Sequence, residues 1–397
     1  MSIRTVKLVD VSELNPRYRS GTSASDEEVA FVPMASVSAE TASVEVLETR
    51  PLSTVLTGFT YFQDGDILVA KITPCFENGK IAMARISQRH GFGSTEFHVI
   101  RPKASQLDAR YLLHFLRQPR LRIEGERKMT GSAGQRRVPR HFLEGLDIPL
   151  PPFLEQQRMA DVLDQAEILR AKRRYALAKL DTLTQSLFCD RFGDPRSNPK
   201  GWSETTVGEI APFISSGMTP LGGSSVYQTS GILFIRSQNV LMNGVDFSDV
   251  AYVSDDLHRQ MKRTWVKNGD VLLNITGASI GRVHYYSGEN DTANVNQHVC
   301  IIRVDRNQIL PAFLSRFLSA PSYQAQIVGQ NSGATRQAFN FEQIRRFKIF
   351  LPPMELQIEF VRQESLVAEL RAKYSASLNK LNTLFASLQH RAFKGEL

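Results

Sequence analysis

The sequence predicts a mixed α/β (α+β) chain: two tandem α/β globular parts, each followed by a long helix, with the two helices forming an antiparallel coiled coil. Three observations carry this. First, blocks recur at an offset of 201 residues: Leu150-Pro151-Pro152 returns as Leu351-Pro352-Pro353, and Lys179–Leu187 (KLDTLTQSL) returns as Lys380–Leu388 (KLNTLFASL) with six of nine residues identical. Second, apolar residues after each Leu-Pro-Pro fall at three-and-four spacing over about four heptads. Third, turn-marked apolar runs of strand type lie upstream of each helix.

Taken in order, Asp64-Gly65-Asp66-Ile67-Leu68 resembles Asn268-Gly269-Asp270-Val271-Leu272, each a turn feeding a buried strand. Asp108–Arg117 (DARYLLHFLR) resembles Pro311–Leu318 (PAFLSRFL), two helices with an Asp cap and a Pro start respectively. Glycine-containing loops follow at Thr130–Arg137 and Asn331–Gln337. Phe192-Gly193-Asp194-Pro195 stops the first long helix and Trp202 opens the second copy. The expected division is 1–150 and 201–350 for the globular parts, 151–192 and 351–397 for the helices, and 193–200 for a linker. A period this long is domain duplication, not a solenoid.

The first seam runs Met159, Val162, Ala166, Leu169, Arg173, Ala176, Leu180, Leu183, Leu187; the second runs Phe360, Gln363, Val367, Leu370, Tyr374, Ser377, Leu381, Leu384, Leu388. A helix from 155 to 190 is roughly 54 Å long, far beyond the ~13 Å radius of gyration of a ~100-residue globule. That length favours two helices burying seams on each other over two helices lying on their own domains. Ile168, Leu177 and Phe188 fall outside the seam, free for a partner or for packing under a globular part.

Formal charge is +8, with 48 basic and 40 acidic residues. The bias suits nucleic acid without proving it. Cys75, Cys189 and Cys300 are too scattered for a disulfide framework or zinc site and suit a reducing cytoplasm. No signal peptide or membrane span is expected. Phosphate-binding, zinc-protease, serine-hydrolase and dinucleotide motifs are all missing, so no catalytic residue is assigned.

DNA binding needs cations for phosphates and polar side chains for base edges. The first part has a basic stretch of Arg117, Arg120, Arg122, Arg127, Lys128, Arg136, Arg137 and Arg140, within which Ser132 and Gln135 lie in the glycine-containing loop. Its counterpart loop holds Thr335, Arg336 and Gln337. Lys71–Lys80 (KITPCFENGK) offers Lys71, Thr73, Asn78 and Lys80; Asn274–Arg282 (NITGASIGR) offers Asn274, Thr276, Ser279 and Arg282. Arg236, Gln238, Asn239, Asn296 and Gln297 complete the second set. Each is equally open to a reading as a turn residue or a solvated charge.

The duplication, both Leu-Pro-Pro helices, KITPCFENGK, GSTEF at Gly93–Phe97, GSAGQRRVP at Gly131–Pro139 and FGDPRSNPKGW at Phe192–Trp202 resemble the specificity (S) subunits of type I restriction–modification systems. The resemblance covers nearly the whole chain and adds Ser94 and Thr95 to the candidate readers. It implies two target-recognition domains, each reading one half of an interrupted double-stranded DNA site, with the helices as spacer. It also implies two methyltransferase subunits as partners, sometimes joined by a motor–nuclease subunit. S-adenosylmethionine, ATP and Mg²⁺ would belong to those partners, leaving this chain without a cofactor. Leu150–Gln156 (LPPFLEQ) fits the family's helix opening, whereas the second copy has Glu355-Leu356-Gln357; the first part also lacks a tryptophan matching Trp202. The alternatives are a specificity module of a stand-alone methyltransferase and a coiled-coil scaffold without DNA specificity.

Overall fold

The computed structural model describes residues 4–19, 27–44, 48–132, 134–288, 292–329 and 338–397. It divides into two compact units, Met1–Tyr175 with Ala376–Leu397, and Ala176–Ser375.

Unit 1 holds strands β1 (Ser12–Leu14), β2 (Glu28–Val32), β3 (Glu48–Pro51), β4 (Thr60–Phe62), β5 (Ile67–Ala70), β6 (Ile81–Met83), β7 (Gly91–Gly93) and β8 (Phe97–Pro102). They form two four-stranded sheets, ordered β1-β8-β5-β6 and β3-β2-β7-β4. Helices α1 (Ala109–Leu116) and α2 (Pro119–Lys128) follow, then the long α3 (Phe153–Phe192).

Unit 2 repeats the plan with β9 (Phe213–Ser216), β10 (Ile232–Ile235), β11 (Ala251–Val253), β12 (Trp265–Val266), β13 (Val271–Asn274), β14 (Val283–Tyr285), β15 (Ala293–Val295) and β16 (Val299–Arg303). Its sheets are ordered β9-β16-β13-β14 and β11-β10-β15-β12, the same topology strand for strand. Helices α4 (Pro311–Ser319), α5 (Pro321–Gly329) and the long α6 (Met354–Lys394) match α1, α2 and α3. In each globular part a short segment before the two sheets pairs antiparallel with one leading into the Leu-Pro-Pro turn, Thr5–Lys7 with Asp147–Pro149 and Ser203–Thr206 with Lys348–Leu351.

The expected starts of α1 and α4 are present. Asp108 accepts hydrogen bonds from the backbone N–H of Arg110 and Tyr111, and Pro311 occupies the first turn of α4. The turns before β5 and β13 are built alike. Asp66 accepts from the Gln63 N–H at 2.7 Å and from Arg101 at 2.9 and 2.7 Å. Asp270 accepts from the Lys267 N–H at 2.7 Å and from Arg303 at 2.7 Å through each oxygen. Both carboxylates are buried.

Each Leu-Pro-Pro segment ends in a buried glutamine that fastens helix to domain. Gln156 accepts from the Asp108 N–H and donates to the carbonyls of Gln106 and Pro151. Gln357 does the same with Leu310, Gln308 and Pro352. The second copy's departure at Glu355-Leu356 therefore leaves the glutamine's task intact.

The long helices pair antiparallel inside each unit. In unit 1, Arg170 of α3 donates to Asn382 of α6 at 2.8 Å. In unit 2, Arg371 of α6 donates to Asp181 of α3 at 2.9 Å. The buried face departs from the expected seam. Met159, Ala166 and Leu180 are buried, but Leu169 and Leu183 are 51% and 41% exposed. Phe188, placed outside the seam by periodicity, is fully buried and packs on Phe313 and Phe360 in the unit 2 core. The reason is that these helix segments pack on a globular core as well as on each other, which turns extra positions inward. No helix among the described residues is long and apolar enough to cross a membrane.

Candidate nucleic-acid interface

Three separated segments of unit 1 meet at one edge. The Thr73 N–H donates to the Arg136 carbonyl at 3.0 Å, the Val138 N–H to the Lys71 carbonyl at 2.8 Å, and the Lys71 N–H to the Glu96 carbonyl at 2.9 Å. So KITPCFENGK, GSTEF and the 130–137 loop share a surface, although some 60 residues separate the first from the last.

Side chains lock this edge. Arg137 forms a two-pronged pair with Glu96, Nη2 to Oε1 at 2.8 Å and Nε to Oε2 at 2.9 Å. Those hydrogen bonds hold the Glu96 carboxyl below its ordinary range. Thr73 donates to Glu77 at 2.8 Å, and Arg136 lies 3.7 Å from the same carboxylate. Lys80 reaches the Met34 carbonyl at 3.1 Å, and Ser94 Oγ accepts from the Glu96 N–H at 3.2 Å. Asn78, Thr95, Ser132, Gln135 and Arg136 are exposed. Gly131, at φ +123°, turns the loop where a Cβ would meet the Gln135 carbonyl at 2.7 Å, so the loop's path requires glycine.

Helix α2 lies against this edge. A Cβ on Gly125 would meet the Phe76 ring at 2.5 Å, and Arg122 reaches over Gly79. Arg120, Arg122, Arg127 and Lys128 are exposed, and none is in an ion pair among the described residues. In unit 2, α5 takes the same place: Gln324 donates to the Gly281 carbonyl at 2.8 Å.

The unit 2 edge is assembled from Thr276, which pairs with Ala338 across an isolated bridge and meets His298 Nδ1 at 2.6 Å. Gln297 and Arg282 are exposed, Ser279 is half-buried, and Asn296 is buried, accepting from the His298 N–H at 3.2 Å. Arg236 donates to the Asp249 carbonyl at 2.7 Å and Gln238 to its carboxylate at 2.8 Å. Two further expected readers, besides Asn296, are buried. Asn239 donates to the Asp246 and Asp249 carbonyls, both at 3.0 Å; Asn274 donates to the Ser237 carbonyl at 2.7 Å. Both fasten the 237–249 segment, and a buried amide held this way has no face for a base. Thr335, Arg336 and Gln337 lie outside the described residues.

Sequence reasoning assigned no role to Glu77, which ties down Thr73, and took the 294–298 segment for readers, whereas its His298 meets Thr276. A lone acid or histidine carries no periodic signal; only the fold shows the partner. Among the described residues, no group of three or more His, Cys, Asp or Glu side chains is placed to hold a metal ion.

A family model described as the type I restriction modification DNA specificity domain matches this chain twice, over residues 3–175 and 199–370. The chain is 38% identical over 192 residues to the type I restriction enzyme EcoAI specificity subunit of Escherichia coli, covering 45% of this chain and 32% of that protein. It is 27% identical over 301 residues to the EcoBI specificity subunit of Escherichia coli, covering 68% of this chain and 62% of that one. Each match thus spans less than two thirds of the relative's length. Among solved structures, a type I restriction-modification system S subunit from M. genitalium superposes with a TM-score of 0.60 at 14% identity, covering 98% of this chain and 96% of that one. A chain solved to explain assembly and conformational transition of a type I R-M system gives 0.58 at 19% identity, covering 100% and 98%. Those two likenesses concern the fold; the doubled family match and the doubled architecture together place this chain in the type I restriction modification DNA specificity domain family.

Proposed function

We propose that this chain is the DNA-reading subunit of a type I restriction–modification complex, each globular part reading one half of a bipartite double-stranded site. The observation that carries this is the repetition, in one chain, of the same pair of sheets with a polar edge gathered from distant loops. Two equivalent but differently faced edges suit two different half-sites. Exposed Arg136, Gln135, Asn78, Thr95, Gln297 and Arg282 carry donors and acceptors for phosphates and base edges.

The chain itself is non-catalytic in this reading. Two methyltransferase subunits dock on the helical segments and bring S-adenosylmethionine; a motor–nuclease subunit, where the system has one, brings ATP and Mg²⁺ chemistry. The long helices set the spacing between the half-sites, each giving one segment to each unit.

Mapping methylated adenines in cells with and without the chain tests this. Loss of one interrupted motif is the expected result. Replacing residues 201–350 with a relative's should then change one half of that motif only. Methylation unaffected by removing the chain would sink the reading, and a change in both halves would sink the division of labour.

A further inference from the structure

Unit 2 contains a cleft of about 1020 Å³ that includes Asp181, Thr184 and Gln185 of α3 and Glu364 and Ala368 of α6. The first three are the only positions at which Lys179–Leu187 differs from Lys380–Leu388, where Asn382, Phe385 and Ala386 stand. The two copies of the repeat therefore diverge where this cleft lies.

Unit 1 shows what closes the place. Phe385 packs beside the His114 ring at 6.2 Å and under the Arg170 guanidinium at 4.4 Å. Glu167 pairs with Arg170 at 2.5 Å. At the 201-residue offset, unit 2 has Thr184 for Phe385 and Ala368 for Glu167, so an aromatic ring and a carboxylate are both replaced by small side chains.

What remains is polar at its floor. Glu364, 9% exposed, accepts from Arg316 Nη2 at 2.6 Å and Nε at 2.9 Å, both through Oε1. Its Oε2 is buried without a hydrogen-bond partner among the described residues. A buried carboxylate oxygen of this kind calls for a donor. Leu180, Met242 and Tyr285 add apolar wall. Leu183, Leu366 and Leu370 of the same helix segments are exposed apolar residues, which suits a protein surface more than a small molecule.

We propose that this cleft receives an anchor side chain of one methyltransferase subunit, an N–H donor on an apolar body such as Trp or Arg, which takes the place of Phe385 and donates to Glu364 Oε2. Unit 1 carries its own Phe385 at the matching position, and no such socket is found there among the described residues. The two docking positions are therefore inequivalent, and the subunit at unit 2 binds more tightly. This rests on the docking reading above.

Calorimetric titration of the full chain with the methyltransferase subunit of its own restriction–modification system tests both. The wild-type chain should show two binding events of unequal affinity. Thr184→Phe, which copies unit 1, should weaken the tighter event at least tenfold and spare the other. Glu364→Gln, which removes the acceptor charge while keeping the shape, should weaken the same event. Melting curves establish that each variant is folded; if Thr184→Phe is not, Glu364→Gln decides. Folded variants that bind both subunits as the wild type does would overturn the cleft proposal alone. A wild-type chain that binds no methyltransferase subunit would overturn the docking reading and the cleft with it.

Discussion

In unit 1, helix α2 carries Arg120, Arg122, Arg127 and Lys128 on its surface; in unit 2, helix α5 occupies the same place and has no charged residue at all. The fastenings beneath are shared. Asp66–Arg101 repeats as Asp270–Arg303, and the hydrogen bonds of Gln156 repeat at Gln357. Duplication has kept the buried polar joints and let the face diverge. A joint inside a low-dielectric core leaves its partner stranded when altered, whereas a solvated face is free to change. Under the proposed function, α2 would give unit 1 more of the phosphate attraction, four cations set against Glu124 and Glu126 where α5 has no charge.

The largest expected effect tests the shared joints. Asp66→Ala and Asp270→Ala each leave a partly buried guanidinium without its carboxylate, a loss of about 3–5 kcal/mol in unfolding free energy. Urea unfolding followed separately in the two variants measures it. A large loss in one unit and almost none in the other would break the equivalence of the two scaffolds.

Next in size is the divided face. Changing Arg120, Arg122, Arg127 and Lys128 together to Gln should lower the salt slope of DNA binding by about 0.9 for each phosphate no longer neutralised. For four phosphates, the wild type should lose about 10²-fold more affinity than the variant between 50 and 200 mM salt. The methylated motif should stay the same, since phosphate contacts carry no base information. An unchanged slope would remove α2 from the interface and the electrostatic contrast with it.

Much of this architecture was legible in the sequence because duplication is a long-range signal. An offset of 201 aligns both helices, and the Asp108 cap and Pro311 start are local chemistry with one structural outcome. The seam was legible only in part. Periodicity marks an apolar stripe but not which neighbour turns inward: Leu169 of the stripe is exposed, and Phe188 takes the second of the two places its position outside the stripe left open, under a globular core. The candidate interface was legible as segments but not as a surface. That Lys71, Glu96 and Arg136 share an edge depends on strand order, and burial of Asn239 and Asn274 depends on the 237–249 turn. Neither leaves a periodic trace.

A smaller effect separates the units by pH. His284 on β14 lies opposite Leu272, while unit 1 has Ala82 opposite Leu68 in the same register. Burial lowers the His284 pKa from 6.5 to about 4. Above pH 6.5 the ring is neutral in folded and unfolded chains and contributes no pH dependence. As pH falls from 6.5 toward about 4, the unfolded chain takes up a proton that the folded chain refuses. Stability is lost across that window with a slope approaching about 1.4 kcal/mol per pH unit. His284→Ala, copying unit 1, should flatten the acid limb of a stability–pH curve. His98 of unit 1 is also lowered by burial, so the decisive quantity is the difference in slope between variant and wild type. Identical limbs would show that acid sensitivity is not weighted toward unit 2.

The smallest expected effect concerns two adjacent arginines. Arg137 is engaged through both prongs by Glu96, so its charge is largely answered within the fold. Arg136 is more exposed, at 3.7 Å from Glu77, with no side-chain hydrogen bond that fixes its guanidinium plane among the described residues. A phosphate approaching the 130–137 loop thus meets Arg136 as the available cation. Arg136→Gln should leave one phosphate unneutralised, lowering the salt slope by about 0.9 and the affinity difference between 50 and 200 mM salt about three- to fourfold. Arg137→Gln should act differently: it frees the Glu96 carboxylate beside the DNA and loosens the loop, so weakening should appear even at high salt, where phosphate attraction is screened. The two variants are to be compared in one titration series on DNA bearing the methylated motif. If Arg137→Gln alters only the slope and Arg136→Gln alters nothing, the roles are reversed: Arg137 reaches DNA by leaving Glu96, and the ion pair is a resting state of the loop rather than its anchor.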